Sequence, residues 1–145
     1  MDAATPVART PPMKAMANHI EHWTLGRLVP NPRNPRTHSD AQIAQMAGSV
    51  LAFRFNSPIL IDAKGCIIAG HGRYLAALNL GLETVPVIVL DHLTEIEKRV
   101  YLLADNKLAE LSDWDDDTLA SELAELKNAD IALGDWASAT KSCAC

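Results

Sequence analysis

The sequence predicts an α+β domain in which short strands and amphipathic helices follow one another in the order β-α-β-β-α-β-α-α. Three observations lead there. Short runs rich in β-branched residues, Pro58 to Asp62, Cys66 to Ala69 and Val85 to Leu90, are bounded by turn residues and are too brief for helices. Two capping boxes, Ser39 with Gln42 and Thr94 with Glu97, each open a stretch of helical apolar spacing. No internal repeat and no long linker separates these pieces, so they are expected to share one core.

Apolar residues at Trp23, Leu25 and Leu28-Val29 suggest a first strand. Pro30-Asn31-Pro32-Arg33-Asn34-Pro35-Arg36 follows as an extended turn, because its three prolines forbid a helix, and it displays two arginines on a stiff loop. The helix capped by Ser39 carries Ile43, Met46, Ala47, Val50 and Leu51 at i, i+3, i+4, i+7 and i+8, and is expected to end near Phe53. Ala63-Lys64-Gly65 is short enough to join the next two strands as a hairpin. The second of those strands runs straight into Gly70-His71-Gly72-Arg73. Tyr74, Leu75, Ala77 and Leu78 continue from it at helical spacing to a C-terminal cap at Gly81. In the last strand Pro86 stands near the start, where a missing N–H is tolerated. The helix capped by Thr94 carries Ile96, Val100, Leu103 and Leu108. Trp114, Asp115 and Leu119 read as a hydrophobic staple on a final helix, whose Leu119, Leu123 and Leu126 form a stripe facing the core.

A length of 145 residues suits one domain with flanking segments and excludes two full enzymatic domains. With 48% hydrophobic and 21% charged residues, the chain can bury a core. The domain is placed at residues 22–128, behind a flexible leader at 1–21 and ahead of a tail or truncated continuation at 129–145. The net charge of −5, taken whole, argues against a non-specific nucleic-acid binder. It conceals an asymmetry, since residues 1–90 carry eight Lys and Arg against five Asp and Glu, whereas 91–130 carry four against twelve. Any DNA contact would use the basic side: Arg27, Arg33, Arg36, Arg54 and Arg73. No apolar run approaches the length of a membrane span. The opening residues lack the apolar centre of a signal peptide. Cys66, Cys143 and Cys145 form no paired framework, which fits a reducing cytoplasm.

The turn Gly70-His71-Gly72-Arg73 between a strand and a helix is the strongest chemical signal. A helix N-terminus offers unpaired N–H groups and partial positive charge to an anion. Glycines let a ligand approach the backbone, and Arg73 adds a planar fork for phosphate oxygens. A tight turn without a ligand has the same composition, and His71 by itself reads as a turn histidine bonded to backbone rather than as a catalyst. Cys66, inside the preceding strand, reads as a small apolar residue rather than a reactive thiolate. Cys143 and Cys145 lack the two further ligands of a closed zinc site.

Taken in order, LVPNPRNPR from Leu28, the capped helix, NSPILI from Asn56, IIAGHGRYLAALNLGLETVPVIV from Ile67 and LADNKLAEL from Leu103 resemble the ParB N-terminal domain of the ParB/sulfiredoxin superfamily. The likeness spans about residues 22–128 and is strong to the ParB-like domains found beside DNA methyltransferases in phage and bacterial genomes. It implies a compact ParB/sulfiredoxin-like fold, a small mixed sheet with helices packed on it. It also implies that Gly70, His71, Gly72 and Arg73 hold the phosphates of a nucleoside triphosphate, CTP or ATP, with Arg36 close to them. Ser57-Pro58 would line the nucleotide pocket where the family has Gln-Pro. Asp105-Asn106 would take the place of a Glu-Asn pair that helps hold Mg²⁺ on the phosphates, and both side chains offer hard oxygens suited to that ion. The family's usual turn is Gly-Glu-Arg-Arg, and here His71 and Gly72 replace its central pair. A sulfiredoxin needs a cysteine where His71 stands, so its repair chemistry has no nucleophile. Partition proteins of this type commonly dimerise and continue into a helix-turn-helix region that reads DNA, so sequence-specific DNA reading would have to come from a missing part of the chain or from a partner.

Three functions follow as expectations. The first is a nucleotide-phosphate-binding module that works with Mg²⁺ in chromosome or plasmid partition or in DNA modification. The second is a metal-dependent nuclease or phosphotransferase with His71 as general base, its ordinary pKa of about 6.5 suiting that task. The third is a non-catalytic interaction module in which the acidic helix at 115–128 docks a basic partner.

Overall fold

The computed structural model describes residues 17 and 19–130. Most of the leader, and the tail from residue 131 with Cys143 and Cys145, lie outside the described residues. The elements are β1 (Glu21–Thr24), α1 (Asp40–Phe53), β2 (Ile59–Ile61), β3 (Ile67–Ala69), α2 (His71–Leu80), β4 (Thr84–Val89), α3 (Glu95–Leu111) and α4 (Asp116–Asn128). This is the α+β order expected from the sequence. Both capping boxes form, with the Ser39 hydroxyl accepting from the Gln42 N–H and the Thr94 hydroxyl from the Glu97 N–H.

The strands make one mixed sheet in the order β1-β4-β2-β3. β4 runs antiparallel to β1, with Trp23 opposite Val85, and parallel to β2, with Ile59 opposite Val87. β2 and β3 are an antiparallel hairpin. A parallel pair requires a crossover, and β3 followed by α2 supplies it. Alternation along the strands brings Ile59, Ile61, Val85 and Val87 to one face, where all four are fully buried. They meet Trp23, Leu25, Leu28, Ile67 and Ala77 in the core, with Phe55 and Tyr74 packed against its margin. The helix pair α1 and α2 packs together, α2 reaches β2, and α3 lies against β3.

A buried carboxylate ties the hairpin to α3. Asp62 is 6% exposed. Its Oδ1 accepts from the N–H groups of Lys64 and Cys66, both at 2.9 Å, and its Oδ2 meets Lys98 Nζ at 3.0 Å. Lys98 also meets Glu95 Oε1 at 2.7 Å. Burial alone would raise the Asp62 pKa, but the bonds from the Cys66 N–H, the Lys98 ammonium and the Lys64 N–H outweigh it and hold the carboxyl below its ordinary range. The same burial, reinforced by Asp62, pushes the Cys66 thiol up, away from thiolate character.

Two features differ from the sequence-based expectation. The first strand does not continue through Leu28-Val29. It stops at Thr24, a 3-10 turn covers Leu25–Arg27, and Val29 makes an isolated parallel bridge to Cys66. The reason lies in the spacing of the inward residues, two from Trp23 to Leu25 and then three to Leu28. Three is the repeat of a 3-10 turn, and the Leu28 N–H bonds the Leu25 carbonyl at 3.1 Å. The second difference concerns the far end of the domain. Leu119, Leu123 and Leu126 do not reach the core, and α4 buries no residue at all. The main helix contacts of the sheet come from α2 and α3, and the three α4 leucines are only half-buried. Trp114 is 64% exposed, which leaves little of its indole for the expected staple. On α3 only Leu102 is buried, while Ile96, Val100, Leu103 and Leu108 face outward. No helix among the described residues is long and apolar enough to cross a membrane.

Candidate functional site: a cleft over the glycine turn

The turn between β3 and α2 is shaped by Gly70, whose φ of 102° is a left-handed conformation that a side chain would strain. A Cβ there would also come within 2.9 Å of Arg73 Nη2, so the guanidinium folds back over the turn. Arg73 Nη2 donates to the Pro58 carbonyl at 2.9 Å, and its Nε is buried without a hydrogen-bond partner. Burial pushes the Arg73 pKa down and nearby Asp105 opposes that shift, while a guanidinium stays charged at any physiological pH. At Gly72 the helices come close, since a Cβ would lie 2.8 Å from Met46 Cε and 2.9 Å from His38 Cε1.

Above the turn opens a cleft of about 490 Å³. Gly70, His71, Gly72 and Arg73 line it together with Arg36 and with Asp105 and Asn106 from α3. Residues far apart in sequence thus converge on one space. Ser57 and Pro58 do not line it. Ser57 borders a neighbouring cavity of about 270 Å³ that has Phe53 and Phe55 in its wall and shares Met46, Ser49 and Arg73 with the main cleft. Pro58 reaches the site through its carbonyl, as the acceptor of Arg73, and it lines a separate apolar groove.

Asn106 already has partners. Its Oδ1 accepts from Arg36 Nη1 at 3.0 Å and its Nδ2 donates to the Leu102 carbonyl at 2.9 Å. Arg36 therefore bridges the proline-rich loop to α3 through an amide rather than through a carboxylate. Among the described residues no group of three or more His, Cys, Asp or Glu is placed to hold a metal ion by itself.

His71 Nε2 accepts the Asn31 N–H at 3.3 Å, which makes the ring neutral with its proton on Nδ1. Burial, helped by nearby His38, pushes its pKa down to about 4. His38 is lowered as well, by burial and by Arg36. In this geometry the Nε2 lone pair that a general base would use is engaged by backbone. A pH dependence follows. The unfolded chain protonates His71 near 6.5 and the folded one only near 4, so stability is complete above 6.5 and is lost as pH falls towards 4. Allowing for screening by solvent at the cleft, the loss should be about 1 kcal/mol. Urea midpoints at pH 7 and pH 5 measure it, and His71→Gln should shrink the difference between them.

The cleft also contains residues that the motifs do not mark. Gln42, Gln45 and Ser49 stand on one face of α1 at i, i+3 and i+7, and Asn34, Thr37 and His38 come from the preceding loop. A legible signal exists for the first three, a polar stripe at helical spacing beside the apolar one. The loop residues are brought in by a chain path that no local pattern encodes.

Fold and cleft together define a class: small α+β domains in which a glycine turn opens a helix beneath a polar cleft. The ParB N-terminal domain family model matches residues 10–111, and the chain belongs to that family. The ParB-like nuclease domain-containing protein YnaK of Escherichia coli (strain K12) is 51% identical over 80 residues, which are 55% of this chain and 92% of that protein. Stage 0 sporulation protein J of Bacillus subtilis (strain 168) is 34% identical over 97 residues, 64% of this chain. The chain spans 34% of that relative's length. Among solved structures, the C-terminally truncated chromosome-partitioning protein ParB from Caulobacter crescentus, complexed with CTP-gamma-S, superposes with a TM-score of 0.66 at 22% identity, covering 79% of this chain and 67% of that one. The mixed α+β fold that the resemblance implied is the fold observed.

Proposed function

We propose that the domain binds nucleotide phosphate in the cleft over the glycine turn, as a module of a protein acting on DNA in partition or in DNA modification. The carrying observation is the convergence of Gly70 to Arg73, Arg36 and Asp105 on one cleft of about 490 Å³. The phosphates would lie against the first amides of α2 and the Arg73 fork. The nucleoside would extend towards Gln42, Gln45 and Ser49, or into the adjoining cavity beside Phe53, Phe55 and Ser57. The Caulobacter relative is complexed with CTP-gamma-S, which makes CTP the first ligand to try and ATP the second. The donor set fits Mg²⁺, an ion that keeps several waters and is held through one or two carboxylates and substrate phosphates. Asp105 would supply the carboxylate, and Asn106 Oδ1 would join it only on releasing Arg36. Titration calorimetry of the folded chain with CTP, ATP and GTP in Mg²⁺ tests the reading. Heat of binding with at least one is expected, and none with any would refute it.

The uncovered apolar residues of α3 favour an interaction role beside nucleotide binding, and we assign that role to a homodimer working in the cytoplasm. Ile96, Val100 and Leu103 stand at i, i+4 and i+7 and are 71%, 60% and 51% exposed. Light scattering should report a dimer for the native chain and a monomer for the double variant Val100→Asp, Leu103→Asp, with an unchanged far-ultraviolet spectrum. A monomeric native chain at all concentrations would remove the assignment.

A further inference from the structure

We infer that the open edge of β1 and the apolar groove beside it form a docking surface for an extended segment of another protein, one that alternates apolar residues and carries a carboxylate for Arg54. The groove shares no lining residue with the cleft over the glycine turn, so the inference is independent of the nucleotide reading.

The sheet ends at β1, which pairs on one side alone, with β4. The Leu25 N–H bonds the Glu83 carbonyl at 2.9 Å, continuing the register that sets Trp23 opposite Val85. Hydrogen-bonded pairs alternate along an antiparallel ladder, so Glu21 and Trp23 also turn their backbone groups to β4, and His22 and Thr24 turn theirs away. Among the described residues, no backbone bond outside the ladder reaches His22 or Thr24. Their N–H and C=O groups are the ones an added strand would pair.

Ile20 and His22, two residues apart, line a groove of about 710 Å³. Val50, Leu51, Phe55, Leu80 and Pro86 give it apolar walls, and Ile20 and Leu51 are 55% and 63% exposed. Side chains alternate between the two faces of a strand. Every second residue of a strand laid on β1 would therefore stand on the face of Ile20 and His22, where apolar side chains would fill the groove.

Arg54 sets the charge of the partner. It is the one Lys, Arg, Asp or Glu among the described residues that line the groove. Its Nη1 donates to the Leu51 carbonyl at 2.7 Å, and none of the ion pairs among the described residues includes it. Its backbone, at φ 74° and ψ 176°, occupies a region that glycine alone fills without strain. Glycine would end α1 at no such cost, so what the arginine adds is its guanidinium, whose fork has donors left for a carboxylate. A nucleic-acid backbone fits poorly, because one cation among apolar walls cannot follow a run of phosphates.

The test is selection of a phage-displayed library of random dodecapeptides on the immobilised full chain. Enriched sequences should alternate apolar residues and carry Asp or Glu. The most enriched peptide, once synthesised, should slow hydrogen exchange at the His22 and Thr24 amides and should bind Arg54→Gly about tenfold more weakly. The same variant should unfold at a higher urea concentration than the native chain, because the backbone strain is gone, and this separates lost binding from lost structure. Ile20→Asp, at an exposed position, should weaken binding as well. The inference is overturned if no sequence is enriched, if the enriched sequences are basic, or if exchange slows elsewhere and not at β1. Protection of the His22 and Thr24 amides in the chain without peptide also overturns it. The edge is then covered by another segment of the same chain or, where protection grows with concentration, by a second copy.

Discussion

Asp62→Ala is expected to lower the free energy of unfolding by about 3–5 kcal/mol, the range for breaking a buried ion pair from one side. The carboxylate holds the β2–β3 hairpin through two backbone N–H groups at 2.9 Å and reaches α3 through Lys98 at 3.0 Å. Truncation leaves the Lys64 and Cys66 N–H groups without their acceptor, and leaves Lys98, whose side chain is 16% exposed, with Glu95 alone. Urea unfolding followed by circular dichroism at pH 7 measures the loss. Asp62→Asn should cost less, because an amide oxygen can still accept from the hairpin N–H groups. The acid limb separates charge from shape. Because the folded carboxyl titrates below its ordinary 3.8, its contribution is present above that value and disappears as pH falls through the lower folded pKa. The Asn variant should show a flatter acid limb than the native chain. A variant as stable as the native chain at every pH would mean that the pair contributes nothing net.

Arg73→Ala is expected to weaken nucleotide binding about a hundredfold, which corresponds to losing a charge-assisted contact of about 2.7 kcal/mol. Arg73→Lys should recover little of this. A lysine keeps the charge but lacks the fork that meets Pro58 and leaves Nε over the turn. Calorimetry with the preferred nucleotide is the measurement. An affinity unchanged in both variants would place the phosphates away from the glycine turn.

Local patterns carry far in this chain. The boundaries of α1 at Asp40 and of α3 at Glu95 follow from hydroxyl caps whose bonds lie within three residues. The left-handed Gly81 closing α2 is equally local. Sequence reasoning failed where two patterns share the same residues. Leu25 belongs to both, sharing a strand face with Trp23 and a 3-10 face with Leu28, and the bond from the Leu25 N–H to the distant Glu83 carbonyl at 2.9 Å marks where the strand gives way. The stripe Leu119, Leu123 and Leu126 is a sound core pattern without a core to meet. Amphipathicity shows that a helix has a face to cover, and the identity of its cover is a tertiary matter.

The candidate site divides in the same way. The glycine turn and Arg73 are legible because a strand, a left-handed glycine and a helix start are consecutive in the chain. Arg36, Asn106 and Asp105 became site residues through the motif resemblance, and the bond from Arg36 to Asn106 at 3.0 Å spans 70 positions that no periodicity connects. The pairing of His71 with Asn31 is likewise invisible in the sequence.

By itself the sequence determined the α+β order, the helix ends, the hairpin and the turn that offers amides to an anion, since all of these depend on dihedral preferences and bonds between near neighbours. The tertiary structure alone decided which charges face the turn, that both arginines are partly committed, that His71 is held neutral, and that the leucines of α4 stay outside the core. These depend on desolvation and on distances across the fold, which arise only when the sheet brings remote segments together.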